Sequence, residues 1–125
     1  VRRMIDIAVK YNSDYVDSYE IVKYTKRNNK VCMFTESKVP KKHLVLGSIK
    51  ENPKIISMYM YSKGKLIKRE LALEAKFIPR LIYEDYENTP RLLLNAKRIA
   101  ISMDGRYIYS VRGDSIMEQR KKSTD

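Results

Sequence analysis

The sequence predicts an α+β domain, an antiparallel sheet of about three hairpins with helices covering one face. Three observations carry this reading. Asp104-Gly105 separates two alternating β-prone runs, Arg98 to Met103 and Arg106 to Arg112, and is a strong signal for a two-residue hairpin turn. Two earlier stretches, Tyr19 to Thr35 and Ile55 to Arg69, also read as paired β-prone runs, about Asn28-Asn29 and Lys63-Gly64. Between the second and third hairpins lie Arg69 to Lys76 and Arg91 to Lys97, both rich in strong helix formers.

Residues 1 to 12 fit two periods. Met4, Ile7, Ala8 and Tyr11 recur at helical spacing, whereas Ile5, Ile7 and Val9 alternate as in a strand; the balance favours a helix. The hairpin from Tyr19 to Thr35 carries Lys26, Arg27 and Lys30 around its tip. Tyr15, Tyr19 and Tyr24 read as packing residues. Lys38 to Lys54 is punctuated by Pro40, Gly47 and Pro53 and reads as a long basic loop bearing Lys38, Lys41 and Lys42.

In the second hairpin, Tyr59, Tyr61, Leu66 and Lys68 share one face, and Ile56, Met58, Met60 and Ile67 the other. Lys63 and Lys65 flank its turn. The following helix places Leu71, Ala75 and Ile78 on one side and is interrupted by Pro79. Thr89-Pro90 reads as the start of the last helix, an N-cap hydroxyl followed by proline at the first helical position. In the third hairpin, Ile99, Ile101, Met103 and Ile108 form an apolar face. Arg98, Tyr107 and Tyr109 fall together on the other, with Arg106 beside the turn. Residues 1–118 are expected to be one basic domain, and residues 119–125 a polar, disordered tail.

The chain of 125 residues is 43% hydrophobic and 33% charged, a composition able to build a core without staples. Its formal net charge of +11 favours polyanionic partners, nucleic acid first among them. From Glu36 to Arg69 nine basic residues stand against two acidic ones, and Glu84, Asp85 and Glu87 cluster elsewhere. Cys32 is the single cysteine, so no intramolecular disulfide is expected, which points to the cytoplasm or another reducing intracellular compartment, inside a cell or a virus particle. No apolar run approaches membrane-spanning length, and VRRMIDIAVKYN is too charged for a signal peptide, so no membrane partner is expected.

Most catalytic templates fail on inventory. His43 and Cys32 are single copies, too few for a zinc site of Cys and His ligands, and the four glycines make no phosphate-binding loop. Glu74 and Lys76 have the Glu-x-Lys spacing of metal-dependent nucleases, but on a helical stretch and without the further carboxylate needed on the neighbouring strand, since no acidic residue lies between Glu51 and Glu70. Cys32 reads as a small buried hydrophobe and His43 as an edge or loop residue.

The expectation is therefore a non-enzymatic module that binds RNA or DNA, with no cofactor and no metal. Phosphates would meet Lys26, Arg27, Lys30, Lys38, Lys41, Lys42, Lys63, Lys65, Lys68, Arg98 and Arg106, and unpaired bases would stack on Tyr59, Tyr61, Tyr107 and Tyr109. The alternative is a structural or interaction subunit that uses the same tyrosine-bearing face to self-associate or join a larger or viral assembly. A metal-dependent nuclease using Glu74 and Lys76 ranks third.

Overall fold

A computed structural model of the chain describes residues 1–24, 30–32, 43–57 and 61–110, with the backbone alone at 19–24, 30–32, 56–57, 105–106 and 109–110. The elements run α1 (Arg2–Lys10), β1 (Tyr15–Tyr24), β2 (Lys30–Cys32), β3 (Leu44–Gly47), a 3₁₀ helix (Pro53–Ser57), β4 (Lys65–Ile67), α2 (Arg69–Glu74), α3 (Glu84–Asn95) and β5 (Ile99–Ser110). The expected tail at 119–125 lies outside the described residues. Among the described residues no helix is long and apolar enough to cross a membrane.

The α+β class holds, but the sheet is mixed rather than antiparallel and is not built from three hairpins. Its order is β2-β1-β5-β3, with β4 also paired to β1. β1 and β5 run parallel in the middle, from Tyr15↔Ile99 to Tyr24↔Ser110. β2 and β4 share the other edge of β1, both antiparallel to it. Of the expected hairpins, the first is present: Tyr24 pairs with Lys30 and Val22 with Cys32, although β1 begins earlier than expected, at Tyr15.

The hairpin expected at Asp104-Gly105 is instead one continuous strand. Between Ser18↔Ser102 and Glu20↔Arg106, β5 advances four residues while β1 advances two, so Met103, Asp104 and Gly105 are taken up in a bulge. A pair of residues that permits a tight turn does not require one, and the pairing of both halves with the parallel strand β1 keeps β5 continuous. The bulge is held by His43. Its Nδ1 accepts the Met103 N–H at 3.0 Å, and its Nε2 stands 3.4 Å from an Asp104 carboxylate oxygen.

The second expected hairpin is also replaced. Residues 53–57 form the 3₁₀ helix, which puts Ile55 in the core, while β4 pairs with β1. Gly64 still takes the left-handed turn conformation, with φ of +68°. The last helix starts at Glu84 rather than at Thr89-Pro90. Its first turn carries Glu84, Asp85 and Glu87, charges that suit a helix N-terminus, and Pro90 sits inside it.

Helices cover both faces of the sheet, not one. Tyr15 and Ile99 point into a core with Ile55, Leu71, Ala75, Leu92, Leu93 and Ala96, from the 3₁₀ helix, α2 and α3. Their neighbours Val16 and Ala100 point the opposite way, onto Met4 and Ile7 of α1. The helical period of residues 1 to 12 is thus realised. Asn12, with φ of 49°, ends α1 in a conformation that asparagine tolerates.

Candidate nucleic-acid interface

The site is best built outward from Asp14, between α1 and β1. Its carboxylate accepts one hydrogen bond at each oxygen, from the backbone N–H of Lys97 at 2.8 Å and of Arg98 at 2.9 Å. Its own N–H donates to the Arg98 carbonyl, and its carbonyl accepts the Lys68 N–H at 2.8 Å. Asp14 therefore ties the entries to β1 and β5 and the exit of β4 into one corner of the sheet. The corner is basic because of what flanks those contacts. Lys68, Arg69, Lys97 and Arg98 are all exposed, and Lys10, at the end of α1, lies with its Nζ 5.2 Å from the centre of the Tyr11 ring.

Arg98 is fixed further by a hydrogen bond from its guanidinium to the Tyr11 carbonyl, at 3.3 Å. The Glu51 carboxylate lies close enough to feel the Arg98 charge. Backbone and hydroxyl hydrogen bonds from Ser48 hold the Glu51 carboxyl below its usual range, and the positive charge of Arg98 adds to the effect. The Ser48 N–H donates to Glu51 at 2.6 Å while the Glu51 N–H donates back to the Ser48 hydroxyl at 3.4 Å, a reciprocal arrangement like that of a capping box. Beside this corner, Arg3 and Lys10 of α1 line a shallow groove with Asp6, His43 and Asp104.

A second cluster forms about four residues further along β1, roughly 13 Å away at the usual strand rise. The Ser18 N–H donates to the Gly64 carbonyl at 2.8 Å, which places the turn at 62–64 against β1. A Cβ on Gly64 would stand 3.2 Å from Tyr107 Cβ, so this turn and β5 are in close contact. Tyr107 is 37% exposed, and Lys63 lies 5.6 Å from the centre of the Tyr61 ring. Tyr61, Lys63 and Tyr107 are thus placed around one turn.

The remaining expected site residues fall in three groups. Lys26, Arg27, Lys38, Lys41, Lys42 and Tyr59 lie outside the described residues. Lys30, Arg106 and Tyr109 are placed by backbone register alone, opposite Tyr24, Glu20 and Lys23 of β1. Lys65 is a correction. Its side chain is 2% exposed and its Nζ is 2.5 Å from Asp17 Oδ2, so it is spent inside the fold rather than offered to phosphate.

Arg98 is a second correction, of neighbours rather than exposure. Without the hairpin it no longer stands beside Tyr107 and Tyr109, since it precedes the 12-residue strand and they lie toward the far end of it. Lys10, Arg69 and Lys97 were not singled out from the sequence. Nothing local marks them, because Asp14 joins segments 54 and 83 residues away in the chain. Glu74 is the last residue of α2, and both it and Lys76 are exposed. Among the described residues no group of three or more His, Cys, Asp or Glu is placed to hold a metal ion. The chain matches no protein-family model, and no curated protein is significantly similar to it.

Proposed function

We propose that this chain is a nucleic-acid-binding module that engages the phosphate backbone of RNA or DNA without catalysing a reaction. The observation that carries the reading is that Asp14 joins the backbones of Lys68, Lys97 and Arg98, with Arg69 next to Lys68 in the chain and Lys10 beside the Tyr11 that Arg98 bonds. Five exposed cations from three separate parts of the chain match a ligand whose charges repeat along its length. The net charge of +11 supplies the long-range attraction that brings a polyanion to this corner. Tyr61, Lys63 and Tyr107 offer aromatic and cationic contacts about four residues further along β1, which would favour unpaired bases.

Fluorescence anisotropy with single-stranded and duplex oligonucleotides at two salt concentrations tests the proposal. With four or five phosphate contacts, affinity should fall by about 10² to 10³ between 50 and 200 mM salt. Lys68→Glu with Arg98→Glu should weaken binding to all sequences alike and flatten that salt slope. Binding that is absent at low salt, or unchanged in the double variant, would overturn the assignment of this corner.

A further inference from the structure

The connection between α2 and α3 exposes an apolar surface that the nucleic-acid reading does not use. Phe77, Ile78, Leu81, Ile82, Tyr83 and Tyr86 are 52, 48, 41, 49, 46 and 59% exposed, six large apolar side chains within ten residues. Tyr83 and Tyr86 meet edge to face with ring centres 6.3 Å apart, so the aromatic part of the surface is internally packed. The backbone beneath it departs from local preference. Arg80 and Tyr83 both take left-handed conformations, with φ of 64° and 61°, which non-glycine residues rarely adopt.

We propose that this surface is the interface through which two copies of the chain form a homodimer, independently of the basic corner. Three observations select a second copy as the occupant. The first is area: six side chains of roughly 200 Å² each, about half exposed, leave about 600 Å² of apolar surface. A standard interface needs about 800 Å² from each partner, and the charged residues around this surface can supply the rest as its polar rim.

The second is charge. Copies of a chain with net charge +11 repel one another over most of their surface. From Lys76 to Arg91, however, three cations, Lys76, Arg80 and Arg91, accompany three carboxylates, Glu84, Asp85 and Glu87, with Glu87 paired to Arg91 inside the chain. The local balance is neutral, and Lys76 and Arg80 can meet Glu84 and Asp85 of the other copy across a two-fold contact. The third is shape. A pocket of about 480 Å³, lined by Ile67, Ala72, Ala75, Phe77 and Leu92 among others, opens beside the exposed residues and shares Phe77 with them. It can receive an aliphatic or aromatic anchor from the facing copy.

Sedimentation velocity of the full chain across the micromolar range reads the result. The native protein should sediment as a concentration-dependent dimer that survives high salt, where nucleic-acid binding fails. Ile82→Glu with Tyr86→Glu should be monomeric and still unfold cooperatively, since both side chains lie on the surface, and its melting temperature should lose the concentration dependence of the native dimer. As a second variant, Ile82→Cys in a Cys32→Ser background should form an intermolecular disulfide on mild oxidation. A native protein that stays monomeric up to about 100 µM, far above the dissociation constants of specific complexes, would overturn the proposal. So would a dimer unaffected by the double substitution.

Discussion

Lys65 and Asp17 face each other directly across β4 and β1, with Nζ 2.5 Å from Oδ2 and side-chain exposures of 2% and 9%. The Lys65 ammonium also lies 5.6 Å from the centre of the Tyr15 ring. An ion pair this deep carries a desolvation cost on both members, so its worth is conditional on both being present. Lys65→Met leaves the Asp17 carboxylate buried without its counter-ion and should cost about 3 to 5 kcal/mol in urea denaturation. Adding a non-ionisable partner, as in Asp17→Leu with Lys65→Met, should recover much of that loss.

The same carboxylate makes stability depend on pH. Burial raises the pKa of Asp17, and the charge of Lys65 and the hydrogen bond from it oppose the rise without cancelling it. A raised folded-state value means the native protein holds the proton more tightly than the unfolded chain does. This contribution is complete below about pH 4, the unfolded value for aspartate, and is lost as pH rises through the folded value. The stability difference between the native protein and Asp17→Asn should therefore be largest in acid and shrink toward neutrality. The opposite trend would mean that Lys65 outweighs burial.

Tyr15 is completely buried, and among the described residues its hydroxyl has no hydrogen-bond partner. Burial, with a smaller contribution from Asp17, pushes the phenol well above its ordinary pKa. Tyr15→Phe keeps the ring in the core and removes the unsatisfied group, so it should stabilise the fold by about 1 kcal/mol. A destabilised variant would show that the hydroxyl has a partner.

Gly64 combines a left-handed backbone with close contacts to Ser18 and Tyr107. Gly64→Ala should cost about 1 to 2 kcal/mol for the conformation alone, with further loss from crowding against Tyr107. Because this turn positions Lys63 and Tyr61, the variant should also weaken single-stranded binding more than duplex binding, measured well below its melting temperature.

Asp14→Asn separates the two roles of the residue at the basic corner. It keeps one acceptor for the backbone N–H groups of Lys97 and Arg98 and loses the other, at a cost of about 1 to 3 kcal/mol. It also removes a negative charge from among five cations. Nucleic-acid affinity should rise severalfold in the folded variant, whereas unchanged affinity would place the contact surface elsewhere.

How much was legible in the sequence follows how local each feature is. The period of Met4, Ile7, Ala8 and Tyr11 was enough to place α1, because a helix closes its hydrogen bonds within four residues. The pairing of β1 with β2 was legible for the same reason, as the paired residues Tyr24 and Lys30 are only six apart in the chain. The site was legible only in part. Lys68 and Arg98 could be singled out as basic residues on strands, but not as neighbours. Lys65 carries the same side chain as Lys68 three residues earlier, yet one faces solvent and the other Asp17.

By itself, then, the sequence determined a basic α+β chain, its first helix, its first hairpin and a turn at Gly64. Tertiary structure decided that β5 is one strand, that helices cover both faces, and that Asp14 gathers cations from distant segments. Asp104-Gly105 shows the physical reason. The pair permits a tight turn without requiring one, and the outcome rests on whether a strand more than 80 residues earlier is present to pair with both halves. Tyr15 and Val16 carry the same lesson. A strand between two layers of helices buries both faces, so the alternation that reveals a half-exposed strand is absent from its sequence.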